Sequence, residues 1–277
     1  MPNDSVMKVQ ALHVHPVKSV AGTAPDEVAV EPWGLSGDRR WALIDDDDKV
    51  ITQREQPRLA LAHATPLGGG GFSVSAPGRV TLAVEVPEAD GLTPFTLFGK
   101  KVEGVLGPAA AHAWFSDYLG TPARLVHLDE PSHRRPVDPE FALPGETVSL
   151  ADGYPLLIAT LASLEALNAL IAAGDRPEEG PLPMDRFRPN VVVSGAEPWA
   201  EDAWGRLTIG DVEFRVARNC GRCVVTTTDQ RTAERGKEPL RTLARHRRDG
   251  KRLIFGQLLV PVTLGTLRVG DEVRVTG

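Results

Sequence analysis

From Lys8 onward, short β-branched and apolar runs alternate with polar residues, and turn formers separate them. Val9, Leu12 and Val14 lead into the turn His15-Pro16-Val17-Lys18-Ser19, and Val28 and Val30 alternate with polar neighbours, which predicts two strands. Trp41-Ala42-Leu43-Ile44 and Val50-Ile51-Thr52 flank Asp45-Asp46-Asp47-Asp48-Lys49, read as a hairpin with a solvated acidic tip. Its aspartates lack the alternate-ligand spacing and the glycine of a calcium loop. Gly68-Gly69-Gly70-Gly71 neither follows a strong strand nor opens a helix, so it reads as a flexible loop and not a phosphate cradle. Helical spacing occurs twice. Ala110 to Leu119 carries Trp114, Phe115 and Tyr118, with Gly120 as a stop, and Leu161, Leu164, Leu167, Leu170 and Ile171 form an apolar stripe that Thr160 can cap and Gly174 can end. That stripe lasts about three turns, a core face and not a zipper. Val191-Val192-Val193 is a further strand, and Gly210-Asp211 and Gly270-Asp271 each sit between alternating apolar runs, predicting two hairpins. Polar and proline residues at Pro131-Ser132-His133-Arg134-Arg135-Pro136 break the pattern and set a boundary there. The expected fold class is mainly β with a few helices (α+β), in two β-rich units that are barrel-like because closure removes exposed edges.

Composition narrows the functional classes. With 42% hydrophobic and 25% charged residues among 277, the chain is an ordinary globular one. A formal net charge of −6 argues against a general nucleic-acid binder and confines any anion site to a local cluster. Met1-Pro2-Asn3-Asp4-Ser5 has neither the basic start nor the apolar core of a signal peptide, and Pro155 to Ala173 is too short and too polar to span a bilayer. Two cysteines three positions apart make no disulfide framework, so a reducing, cytoplasmic setting is expected.

The chemistry concentrates in Asn219-Cys220-Gly221-Arg222-Cys223-Val224-Val225-Thr226-Thr227-Thr228-Asp229. A dithiol-exchange reading needs the first cysteine to open a helix, and this pair instead precedes a β-branched run of poor helix propensity. A structural zinc site needs two close ligand pairs, which the seven histidines do not supply. A buried thiol suits Cys220, whereas Arg222 beside Cys223 supplies charge that favours a thiolate there. One soft thiolate among arginines suits a metal whose other ligands come from a cofactor, such as molybdenum on a pterin dithiolene. The cofactor's phosphate would call on Lys18, Ser19, Arg39, Arg186 and Arg188, because the arginine fork donates two hydrogen bonds to such a group.

Ordered segments along nearly the whole chain carry a resemblance: His15-Pro16-Val17-Lys18-Ser19, Gly34 to Trp41, Thr52 to Leu59, Phe187-Arg188-Pro189-Asn190, Cys220 to Asp229, Lys237 to Leu240, Phe255-Gly256-Gln257 and Gly265 to Asp271. Together they resemble MOSC-domain proteins with an N-terminal MOSC β-barrel region, the family that includes the mitochondrial amidoxime-reducing component and bacterial relatives. The resemblance implies a MOSC N-terminal β-barrel-like region over 7–130, whose segment 7–40 contributes to the cofactor pocket, and a MOSC domain over 131–277. It implies a molybdenum–molybdopterin cofactor (Mo-MPT) with Cys223 as the metal ligand. Lys18, Ser19, Arg39, Asp152, Gly153, Tyr154, Arg188, Asn190, Gly221 and Leu258 are implied as cofactor contacts. Cys223 and Arg222 are the implied catalytic residues, with Arg222 orienting substrate or cofactor. Gly153-Tyr154 stands where the mitochondrial proteins have small hydroxyl residues, and Leu258 where they have a tyrosine. The implied activity is two-electron reduction of N-hydroxylated compounds (amidoximes, hydroxylamines and N-hydroxylated bases) by a molybdenum-dependent oxidoreductase; a cofactor or sulfur carrier without turnover is the alternative. His15 and Asp152 are considered as proton donors, and a structural role suits each better. Pyridoxal phosphate is not expected. With no further cysteines for an iron–sulfur cluster, electrons are expected from a separate protein of ferredoxin, cytochrome or flavin reductase type.

Overall fold

The valine-rich segments that alternate in sequence pair in space. The computed structural model describes residues 6–137, 140 and 142–277. The signal-peptide reading of Met1-Pro2-Asn3-Asp4-Ser5 lies outside the described residues. One long sheet runs in the order Lys8–Leu12, Val191–Ser194, Leu156–Thr160, Arg252–Pro261, Val212–Gly221, Arg206–Ile209 and Val273–Val275. Its two ends meet. Val9 N–H donates to Asp271 O at 2.9 Å, Gly270 N–H to Val9 O at 2.8 Å and Val273 N–H to Met7 O at 2.8 Å, so the sheet curls into a nearly closed barrel. Val9, Leu12, Ile158, Val193, Leu207, Phe214 and Leu259 fill its interior. Gly256, at φ +78°, lets two of these strands touch: a Cβ there would lie 2.6 Å from Ile158 O.

The fold is mainly β, as expected, and the barrel draws on both halves of the sequence. The expected division at residue 131 divides the chain, whereas Lys8–Leu12 pairs with Val191–Ser194 and Glu27–Glu31 pairs with Gly265–Arg268 across it. The remaining N-terminal residues form a second body. A five-stranded sheet, Val50–Ile51, Trp41–Ile44, Arg124–His127, Lys100–Leu106 and Thr93–Leu97, packs with a three-stranded sheet and the helix Ala109–Leu119 over Trp41, Leu43, Phe72, Phe115 and Leu125.

Both expected helices form. Ala109–Leu119 ends at Gly120 in the left-handed region (φ +70°). Leu161–Ala172 begins at Thr160, whose hydroxyl accepts from Ser163 N–H at 3.1 Å, and its Leu164, Leu167 and Ile171 are buried. The first Gly-Asp hairpin forms between Arg206–Ile209 and Val212–Gly221. The second does not. Gly265–Arg268 pairs with Glu27–Glu31 and Val273–Val275 with Arg206–Ile209, so Gly270-Asp271 is a corner that hands the chain from one sheet to another. The turn itself is real, since Asp271 N–H donates to Arg268 O and its carboxylate accepts from Arg268 N–H at 2.7 Å, but barrel closure takes both flanking strands elsewhere.

Candidate functional site

The cavity lies where the two bodies meet. It is about 180 Å³, and every residue implied by the resemblance lines it: Lys18, Ser19, Arg39, Asp152, Gly153, Tyr154, Arg188, Asn190, Gly221, Arg222, Cys223 and Leu258. Arg54 and Cys220 line it too. Segments more than 100 residues apart in the chain deliver them, which is why no spacing in the sequence could show their convergence.

The basic groups are held by the backbone. The turn after Lys8–Leu12 places Lys18, whose Nζ donates to Leu150 O at 2.9 Å and to Asp152 Oδ1 at 2.5 Å. Arg39 donates to the buried Asp38 carboxylate, to Asn190 Oδ1 at 3.1 Å and to Arg188 O at 3.1 Å. Asn190 ties neighbouring barrel strands at this corner: its Oδ1 also accepts from Leu157 N–H, and its Nδ2 donates to His13 O. Arg188 Nη2 donates to Val20 O at 2.8 Å. Ser19, Arg39 and Arg188 sit at φ +67°, +49° and +53°. Such left-handed conformations cost side-chain residues roughly 1–3 kcal/mol each and concentrate at functional sites.

These cations exceed their partners. Among the described residues, Lys18, Arg39, Arg54, Arg188 and Arg222 line the cavity against one carboxylate, Asp152. Burial pulls the Lys18 ammonium down to about 8, even though Asp152 pushes the other way. Burial, with Arg39 nearby, brings Arg188 to about 9. Desolvation within the cavity would raise Asp152, but the charge and hydrogen bond of Lys18, with Arg54 and Arg39, hold it well below the usual carboxylate range. A cluster in which charged bases are disfavoured by one another and by burial is relieved by an anion.

The thiols differ in their surroundings. Cys220 is buried at the end of Val212–Gly221; burial raises its thiol, and Arg222 Nη1 at 2.8 Å from its sulfur opposes that only in part. Arg222 also donates to Phe187 O at 2.6 Å and lies over the Phe187 ring. The expectation that Arg222 supplies the charge beside Cys223 is therefore corrected: adjacent residues of an extended segment point apart, and this guanidinium goes to the other cysteine. Arg54 meets Cys223, its Nη2 donating to Sγ at 3.3 Å while it pairs with Asp152 at 3.5 Å. Arg54 belongs to the quoted Thr52-to-Leu59 segment, but 169 residues separate it from Cys223. Cys223 is half-buried and extended, just before a single 3₁₀ turn, Val224–Thr227. The β-branched run adopts that turn because Thr226 and Thr227 hydroxyls bond back to Cys223 O and Val224 O, each at 2.8 Å.

Two other candidates fall away from the cavity. Arg186 is spent on Thr227 O at 3.0 Å and Asp229 Oδ2 at 2.8 Å, fixing the segment after Cys223. His15 is buried off the cavity lining, and burial followed by the charges of Arg188 and Arg39 pulls its imidazole well below the usual range. Neither of its ring nitrogens has a hydrogen-bond partner among the described residues.

The chain matches two family descriptions, the MOSC N-terminal beta barrel domain over residues 6–122 and the MOSC domain over residues 145–274. It is 35% identical to human mitochondrial amidoxime-reducing component 1, over 97% of this chain and 83% of that protein. It is 33% identical to rat mitochondrial amidoxime reducing component 2, over 96% of this chain and 82% of that protein. It is also 29% identical to the rice molybdenum cofactor sulfurase, over 92% of this chain but 32% of that protein.

Proposed function

The chain belongs to the MOSC family, whose function is tied to the molybdenum cofactor, and from that premise we propose that it is a molybdenum-dependent reductase of N-hydroxylated compounds. The observation that carries this reading is one cavity holding both a soft, half-buried thiol with an arginine donating to its sulfur and an excess of cations, with Lys18 buried and the arginines half-buried. The donor set fits the cofactor: a thiolate for the metal, and Lys18, Ser19, Arg39, Arg188 and Asn190 for an anionic phosphate. When bound, Mo-MPT supplies two-electron reduction of an N–O bond.

The chain's own groups have distinct tasks. Cys223 would hold the metal, and Arg54 donates a hydrogen bond to its sulfur. Lys18 and Arg188 bind the phosphate, and Asn190 holds Arg39 in place to do the same. Gly153, Tyr154, Gly221 and Leu258 form the walls. Arg222 steadies Cys220 and the Phe187 backbone, so it acts on the cofactor through position. Asp152 stays ionised beside Lys18 and orients that ammonium; it carries no proton to give. Electrons come from a separate donor protein, and two free thiols suit a reducing, cytoplasmic setting. Among the described residues no helix is long and apolar enough to cross a membrane.

The likeness to a molybdenum cofactor sulfurase favours a second reading, a cofactor or sulfur carrier without turnover. Reduction of benzamidoxime to benzamidine by the molybdenum-loaded protein with a chemical electron source separates the two. Sustained turnover is the expected result, and a loaded protein that yields no amidine leaves the carrier.

A further inference from the structure

A second pocket, about 550 Å³, opens beside the cavity and shares Arg54 with it. Val50, Ile51, Leu97 and Pro122 give it apolar walls, and Phe98 stands at its edge. Phe98 is unusual twice over. It is 49% exposed, and it sits at φ +51° in the two-residue turn between Thr93–Leu97 and Lys100–Leu106, with Gly99 following at φ +76°. Such a turn wants asparagine or glycine at its first position, not an aromatic. The ring is placed by charge: Lys18 Nζ and the Arg54 guanidinium each lie 5.0 Å from its centroid. One aromatic side chain thus covers the phosphate-side lysine and the arginine that donates to Cys223.

The charged side chains of this pocket have partners within the chain. Glu55 accepts from the Thr52 amide and hydroxyl, Asp45 accepts from Asp47 and Lys49 N–H, and Lys49 Nζ pairs with Asp47. The lining carries two carboxylates, Asp45 and Glu55, against two cations, Lys49 and Arg54, so with no net charge and with apolar walls it suits an uncharged, apolar body, and the volume lies within the range of small-molecule sites. We propose that this pocket is the subsite for the aryl body of a neutral N-hydroxylated substrate, with Phe98 as its specificity-determining residue and Arg54 as the wall that joins it to the reacting end. The inference rests on the reductase reading and deepens it.

The test compares KM for benzamidoxime and acetamidoxime in the molybdenum-loaded wild type, Phe98→Ala and Thr121→Trp, the last narrowing the pocket from another wall. The benzamidoxime-to-acetamidoxime KM ratio is expected to rise about tenfold in both variants, the scale of one lost aromatic contact. A ratio that stays within twofold in both, or that rises only in Phe98→Ala, overturns the subsite, because the second pattern means disturbed arginine and not a lost pocket. A readout without turnover keeps the two claims apart: saturation-transfer NMR from the protein to the benzamidoxime ring. Transfer in wild type that is lost in Thr121→Trp supports the subsite even if neither oxime is reduced, in which case only the reductase reading fails. No transfer in wild type overturns the subsite.

Discussion

Arg188 shows most sharply how this site trades stability for binding. Its half-buried guanidinium lies near Arg39, and its backbone is held at φ +53°, a conformation glycine adopts without strain. Arg188→Gly should therefore leave the urea midpoint unchanged or higher, since relieving the left-handed strain, roughly 1–3 kcal/mol, offsets the lost bond to Val20 O, while pterin content falls severalfold. A parallel fall in midpoint and cofactor would mean that Arg188 serves the fold alone. At this scale the sequence was readable wherever a motif carried the residue. Lys18, Arg39, Asn190 and Cys223 each stand in such a motif, and all line one cavity. The role of Arg54 is not legible in the sequence, because it depends on a sulfur 169 residues away and on Asp152, and only the folded chain sets those distances. Arg222 shows the reverse: its adjacency to Cys223 in sequence suggests adjacency of side chains, and the strand end directs it to Cys220.

Elements were legible where local signals agree with tertiary packing. Leu161–Ala172 has a stripe, a cap and a stop, and Thr160 is buried with its hydroxyl shared among Ser163 N–H, Ser163 Oγ and Glu201 Oε2. Thr160→Val removes those bonds at nearly constant volume and is expected to cost about 1–2 kcal/mol by urea unfolding; no change would mean that the cap is idle. The Gly270-Asp271 corner misled because a turn fixes its own four residues and not the partners of the strands leaving it. The strand Arg124–His127 carries a pH device that no periodicity reveals. His127 lies 4.4 Å from the Trp41 ring, and burial, followed by the Arg40 charge, pulls its imidazole down to about 4. The unfolded chain takes up this proton near the ordinary value of 6.5, so acid favours unfolding between those limits. Unfolding free energy should drop by about 2 kcal/mol from this group alone between pH 7 and pH 5. His127→Gln should remove that share of the slope. An unchanged slope in the variant would place the proton uptake elsewhere, with His15 as the next buried imidazole.

For the whole molecule, the decisive fact is that the barrel borrows its first strand from the other end of the chain. Val9, Leu12, Val14, Val30 and Leu35 belong to the same core as Leu207, Phe214 and Leu259. A fragment spanning 131–277 would expose the Val191–Ser194 edge and empty part of that core, so it should show no cooperative urea transition; a cooperative transition in the fragment would contradict this account of closure. The mainly β class could be read from short alternating runs, yet which unit each run joins could not, because closure is a long-range property of sheet curvature. The same closure brings Lys18 and Arg39 to Arg188 and Cys223, so the fold and the site share one cause. The claim that the cavity is built around a single metal-binding sulfur is tested most directly by molybdenum and pterin content in purified wild type, Cys223→Ser and Cys220→Ser. The account predicts about one molybdenum per chain in wild type, near-complete loss in Cys223→Ser, and retention in Cys220→Ser, since one thiolate completes the cofactor's ligand set. Equal loss in both variants, or metal retained without Cys223, would contradict it.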